Sequence, residues 1–375
     1  GIYNRCGHAI MSTPYIFYNK KIKTMRNIKI LTCILIIFFS DCQNSNKTHR
    51  EKHQNRRDNI INVKDEIKFV DTKILIGKPE LYIVDSFLVI NDYRPQEDKG
   101  IHLFNKNTFK YVTSTGVIGK GPGEITRPGF IGINQTNKTL WKVDHGKRVI
   151  WKFFLDSILN NKTYKPIEKV NMNESFFIEK FDFLNDSIVL GIAWDIIDNN
   201  SFKKVLAKRN LNTNKIEKYG YDHPKTIENG RKKTYFGFDL SLENSSFVKC
   251  YSFLDLMTIC DLKGDLICNV FGPGWGKNEN NMKKYFYDVE MTKNYIIASY
   301  HGGDDWKADK DKGPRVNLPT KFLIFDINGT YKKTIETGHE YTRFCVDEQN
   351  DRIIAYFADS KNPLGYFEVN LTNSK

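Results

Sequence analysis

A unit of about fifty residues recurs imperfectly from Ile67 to the C-terminus, each copy reading as four short strands separated by turn residues. Such a period confines a chain to rings or solenoids, because one unit of this size cannot bury its apolar faces alone. The clearest copy spans 129–134, 139–144 and 148–155, with Asn, Asp, Gly and Lys between the runs. Its second run ends in Asp144, and matching runs end in Asp92, Asp195 and Asp359. Asp92 and Asp144 lie 52 residues apart, Asp144 and Asp195 51. The pattern predicts an all-β chain forming a six-bladed β-propeller of four-stranded antiparallel blades. The aromatic share of 13% suits half-buried pleated strands.

The last blade runs out of sequence before its fourth strand. Residues 67–70 and 73–76 precede the first blade, and one of them is expected to pair beside 365–369, closing the ring and covering an exposed edge. The propeller is therefore assigned to 67–375.

The preceding segment is organised differently. Residues 1–24 read as an extension upstream of the native start, and 25–41 as a secretory signal: Met25-Arg-Asn-Ile-Lys29 is basic, 30–39 is apolar, and Cys42 follows. That apolar run is short of the roughly twenty residues a membrane span requires. The segment resembles a bacterial lipoprotein signal, implying lipidation at Cys42, although Asp41 departs from the usual small residue. Residues 42–66, mixing basic and acidic side chains, read as a flexible tether. Neutral residues 43–46 favour a periplasm-facing, membrane-anchored protein of the bacterial envelope. The full chain carries +13; without its first 41 residues, which hold six basic and one acidic side chain, the charge is +8. Spread over a propeller, that excess is no nucleic-acid signature. Cys250, Cys260, Cys268 and Cys345 are expected as buried free thiols, and no Cys/His cluster suggests zinc.

The run from Leu140 to Phe153, reading LWKVDHGKRVIWKF, is similar to the NHL-type strand pair of six-bladed propellers. Gly119-Lys-Gly-Pro-Gly-Glu124 resembles the inter-blade loop of TolB-like six-bladed propeller lipoproteins. The glycine loop lacks phosphate-loop spacing and leads into a strand, so it is not a nucleotide site. The resemblance implies an envelope lipoprotein and brings no catalytic residues.

In a propeller, loops between second and third strands share one face with the loops between blades. That face is the expected site, with Arg94, His145, Trp194, Asp195, Trp275, His301, Asp304, Asp305 and Trp306 as ligand-binding candidates. Indole faces beside carboxylates suit sugar stacking or anchoring of a protein partner. The repeated strand-end aspartates read as turn caps rather than metal ligands. No GxSxG, HExxH or P-loop is present, and no catalytic residue, metal or cofactor is assigned. The expected function is a non-enzymatic, monomeric envelope lipoprotein binding a protein or glycan partner. The alternative is a metal-dependent lactonase or related hydrolase, using calcium or a similar ion at the channel mouth, where Glu80, Arg127, Glu174, Lys284 and Arg343 should converge.

Overall fold

The computed structural model describes residues 50–172, 176–198, 201–228, 234–277, 283–309, 313–358 and 360–369. Blade one comprises Pro79–Val84, Phe87–Asp92, Lys99–Asn105 and Tyr111–Val117, and blade two Pro128–Asn134, Thr139–Asp144, Val149–Phe154 and Lys169–Asn171. Blade three follows with Phe176–Phe183, Ile188–Asp198, Ser201–Asn210 and Ile216–Lys218, and blade four with Phe236–Ser241, Ser246–Tyr251, Leu256–Asp261 and Leu266–Phe271. Blade five contains Lys283–Met291, Tyr295–Asp304, Lys321–Asp326 and Tyr331–Glu336, and blade six Tyr341–Asp347, Arg352–Phe357 and Leu364–Glu368.

The ring follows from side-chain alternation. Successive residues of a strand face opposite sides of its sheet, so each blade feeds two different cores. Leu140 and Phe153 pack toward blade one, whereas Trp141, Val143 and Ile150 pack toward blade three. Six apolar clusters result, one at each junction between neighbouring blades. The four cysteines expected as free thiols are buried and unbridged.

Closure falls to the N-terminal segment. Strands β1 (Glu51–His53), β2 (Ile60–Asn62) and β3 (Lys68–Val70) run in turn along the outer edges of blades four, five and six. β3 pairs antiparallel with Leu364–Glu368 and supplies the strand that blade six lacks, as expected. Residues 73–76 instead contribute Ile74 and Ile76 to the core between blades six and one.

Residues 50–66, expected as part of a solvated tether, are docked. β1 pairs parallel with Leu266–Phe271 and β2 parallel with Tyr331–Glu336. Between them the Arg57 guanidinium forms a buried ion pair with Asp255 at 2.9 Å and lies 5.0 Å from the Tyr300 ring centre. Its charge-rich composition suggested solvation, but the chief cation has a buried carboxylate and three rings around it. Residues 1–49, including the expected signal and Cys42, lie outside the described residues.

Candidate functional site

Each blade's second-to-third-strand loop and the loops between blades define the upper face; the remaining turns define the lower one. Upper loops are fastened by the strand-end carboxylates that the sequence pattern singled out. Asp92 accepts backbone N–H bonds from Gly77 at 2.6 Å and from Lys78 and Arg94 at 2.8 Å. Asp144 accepts from Thr126, Arg127 and Gly146 at 3.0 Å and from Lys147 at 3.3 Å. Each carboxylate ties the start of its blade's inner strand to the loop leaving the second. Asp195 does something else, pairing with Lys218 at 2.6 Å. Asp359 lies outside the described residues.

The expected ligand residues all fall on this face, in separate local clusters. Arg94 is exposed on the blade-one loop. His145 is half-buried on the blade-two loop, and burial together with the neighbouring Arg127 holds its imidazole below the ordinary value. Trp194 donates its indole N–H to Glu179 at 2.7 Å and stacks on Phe202 with ring centres 4.1 Å apart. Lys204 joins the same Glu179 carboxylate at 2.8 Å. Trp275 lies against Phe271, centre to centre 4.7 Å, and meets His223 edge-on at 5.2 Å. These two indoles brace loops.

Trp306 differs: 58% of it is exposed. It opens a hairpin of Trp306–Asp309 and Gly313–Val316 inserted between the second and third strands of blade five. Ion pairs from Lys307 and Arg315 to Glu340, the latter at 2.6 Å, pin this hairpin to the start of blade six. Asn317 donates to the Asp304 carbonyl at 2.7 Å, and the His301 ring lies 3.2 Å from the same oxygen. Asp305 faces Lys284 at 3.9 Å. On blade three, the extended Ile188–Asp198 and Ser201–Asn210 pair carries exposed Ile196 and Ile197 on the same face.

Sequence reasoning named Glu80 and Arg343 at the channel but overlooked Lys180, Asp182, Asp239, Asp288 and Glu290. Charged side chains alternate with apolar ones on the inner strands, which reads as an ordinary amphipathic strand until the ring places the polar face inward. Glu80 pairs with Arg343 and Lys180 with Asp288, the latter at 3.0 Å. At the lower mouth, Asp182, Asp239 and Glu290 line a cavity of about 840 Å³. Burial pushes the Asp182 carboxyl up to about 6 and holds Asp239 and Glu290 well above the carboxylate range. Asp239 also accepts the Met291 N–H at 2.5 Å, and Glu290 the Val346 N–H at 2.8 Å. Each thereby bonds to the inner strand of the next blade.

Of the residues expected at a hydrolase mouth, Glu80 and Arg343 meet, while Lys284 lies over the Tyr287 ring, 4.0 Å from its centre. Arg127 is held by its backbone to Asp144, and Glu174 lies outside the described residues. Among the described residues, no three His, Cys, Asp or Glu side chains are grouped to hold a metal ion.

Six closed blades, with loop clusters around one mouth and a polar cavity at the other, define a six-bladed β-propeller. The chain belongs to the TolB-like 6-blade propeller-like family, whose model matches residues 69–349. Among solved structures it is similar to a DUF4221-family protein from Bacteroides vulgatus, with 10% identity, a TM-score of 0.55, and 81% of this chain and 98% of that one covered. A protein from Bacteroides fragilis, described as exported, matches with 11% identity, a TM-score of 0.53 and coverage of 84% and 98%. A luciferin-regenerating enzyme matches with 10% identity, a TM-score of 0.51 and coverage of 82% and 95%. At these identities the likeness is one of fold. No curated protein matches by sequence.

Proposed function

We propose that this chain is an envelope lipoprotein, lipidated at Cys42 and periplasm-facing, that binds a protein partner without chemistry through the upper face of its propeller. The observation that carries the reading is Trp306, an exposed indole on a hairpin held rigid by Lys307, Arg315 and Glu340. A large aromatic on a pre-ordered support contributes binding energy at little ordering cost. Exposed Ile196 and Ile197 on the blade-three hairpin of the same face favour a protein over a glycan, since aliphatic side chains offer no stacking platform for a sugar ring. Location in the envelope is supported by the basic and apolar run before Cys42, and by the exported protein among the fold neighbours.

The test is capture from native envelope extract with wild-type protein and a Trp306→Ala variant, alongside a glycan panel. A protein retained by wild type and lost by the variant supports the reading. Equal capture by both would remove the upper face from the account, and glycan binding without protein capture would replace the protein partner. The substitution should leave stability within about 0.5 kcal/mol, as befits an exposed position.

A further inference from the structure

The flank of blade one holds a second cavity, of about 520 Å³, walled by residues 72–74 and 97–99 and by the third and outer strands of the blade. Pockets for small molecules span roughly 300–1,000 Å³. Within it, His102 and Ser114 stand directly opposite each other on Lys99–Asn105 and Tyr111–Val117. The outer strand then carries an extra residue: Thr113 pairs with Leu103 and Tyr111 with Phe104, leaving Val112 between them. Such a bulge re-aims a side chain, and here it brings Tyr111 beside Ser114, three residues away. The Tyr111 hydroxyl donates to Ser114 Oγ at 3.0 Å, and that oxygen lies 2.8 Å from His102 Nδ1.

This relay anchors an exposed ring to the core. His102 is 1% exposed whereas Tyr111 is 49% exposed, and Phe104 meets the Tyr111 ring edge-on at 5.8 Å. An aromatic surface fixed in advance binds at little ordering cost. His102 Nε2 is buried with no partner, a cost that ordinary sheet packing avoids and that calls for a functional account. Around the ring, Glu97 and Asp98 supply acceptors, and Lys73 and Lys99 supply donors. Lys99 spends one N–H on the Lys162 carbonyl at 3.1 Å and keeps two. Two carboxylates against two ammonium groups leave no net charge to select an ion. Acceptors and donors side by side match hydroxyl groups, each of which both donates and accepts.

We propose that this cavity binds a neutral saccharide, one sugar ring lying on Tyr111 with its hydroxyls shared among Glu97, Asp98, Lys73 and Lys99. The site is separate from the upper-face surface assigned to a protein partner, and neither reading depends on the other.

The test is titration of full-length protein with methyl α-glucoside, methyl β-galactoside, N-acetylglucosamine and cellobiose at millimolar concentration, read by saturation-transfer NMR and calorimetry. Glucuronate and glucosamine serve as charged counterparts. At least one neutral sugar should bind, and Tyr111→Ala should weaken it by about fivefold or more, as befits loss of a stacked ring. The double variant Glu97→Gln/Asp98→Asn, which touches no core side chain, should weaken it comparably and decides the matter if Tyr111→Ala melts below wild type. Absence of binding by every neutral sugar overturns the proposal, as does a preference for either charged counterpart. Sugar binding undiminished in either folded variant also overturns it, by moving the ligand elsewhere. Capture of a protein partner should be unchanged by Tyr111→Ala, so the two readings fail separately.

Discussion

Blades one to three and blades four to six are held by different means. The first three carry four strands each and are fastened by contacts close in sequence: Asp92 reaches back 15 residues to Gly77, and Asp144 18 residues to Thr126. The last three depend on the N-terminal segment, which gives blades four and five a fifth strand and blade six its fourth. There the upper-loop carboxylate Asp255 receives a guanidinium from 198 residues away. One chemistry, a buried carboxylate at the top of a blade, thus serves local trim in one half and long-range closure in the other. Loops of such length cost entropy that is recovered only when the ring shuts.

Removing residues 50–70 should break this contrast most severely. Without β3, blade six exposes an unpaired edge, and without Arg57 the buried Asp255 carboxylate loses its cation and keeps only the Gly274 N–H and Tyr300 hydroxyl; the expected outcome is loss of cooperative melting near the wild-type midpoint. A melt unchanged in midpoint would refute closure by this segment. A narrower test is Arg57→Ala, which strands Asp255 and should cost about 3–5 kcal/mol. Adding Asp255→Asn to that variant should restore part of the loss by neutralising the stranded charge, measured by denaturant unfolding.

Asp144→Ala probes the local half. Four backbone N–H groups lose a charged acceptor, and solvent can reach some of them, so the expected cost is about 2–3 kcal/mol. Here no distant substitution should compensate. If Arg57→Ala and Asp144→Ala cost the same and both respond to Asp255→Asn, the two halves are not distinct.

Much of this division was hidden in the sequence for physical reasons. The repeat, the strand-end aspartates and the missing sixth-blade strand were legible, because seven or eight alternating residues leave a period-two trace. β1 and β2 span three residues each, too few to display alternation, and their residues are largely exposed. The outer strand of blade one runs from Tyr111 to Val117, and Phe109 stands just before it. Phe109 takes a left-handed φ of 54° in the turn, and its ring is buried against Tyr366 and Arg352. An aromatic side chain that looks like strand is there core filling. The upper-face candidates share one rim because loop position follows from strand count alone. The supporting residues Glu179 and Lys204 come from adjacent strands and Glu340 from the loop before blade six, and no spacing rule links them.

The smallest effect sharpens the comparison where the halves meet, at the channel. Asp182 belongs to blade three, and its neighbours Asp239 and Asp288 belong to blades four and five. Burial raises its carboxyl to about 6; Lys180 opposes the shift and Asp288 reinforces it. Because the folded-state value lies above the unfolded one near 4, folding favours the protonated form. That contribution is complete below about pH 4 and is lost as pH climbs through 6. Asp182→Asn removes the titration, so the variant should match wild type near pH 4 and exceed it at pH 8 by about 1–2 kcal/mol, a part of the full two-unit shift because the channel is open to water. Melting curves across that range decide it. A variant less stable at pH 8 than at pH 4 relative to wild type would mean that Lys180, rather than burial, governs this carboxylate, and that the channel binds the two halves through charge pairing.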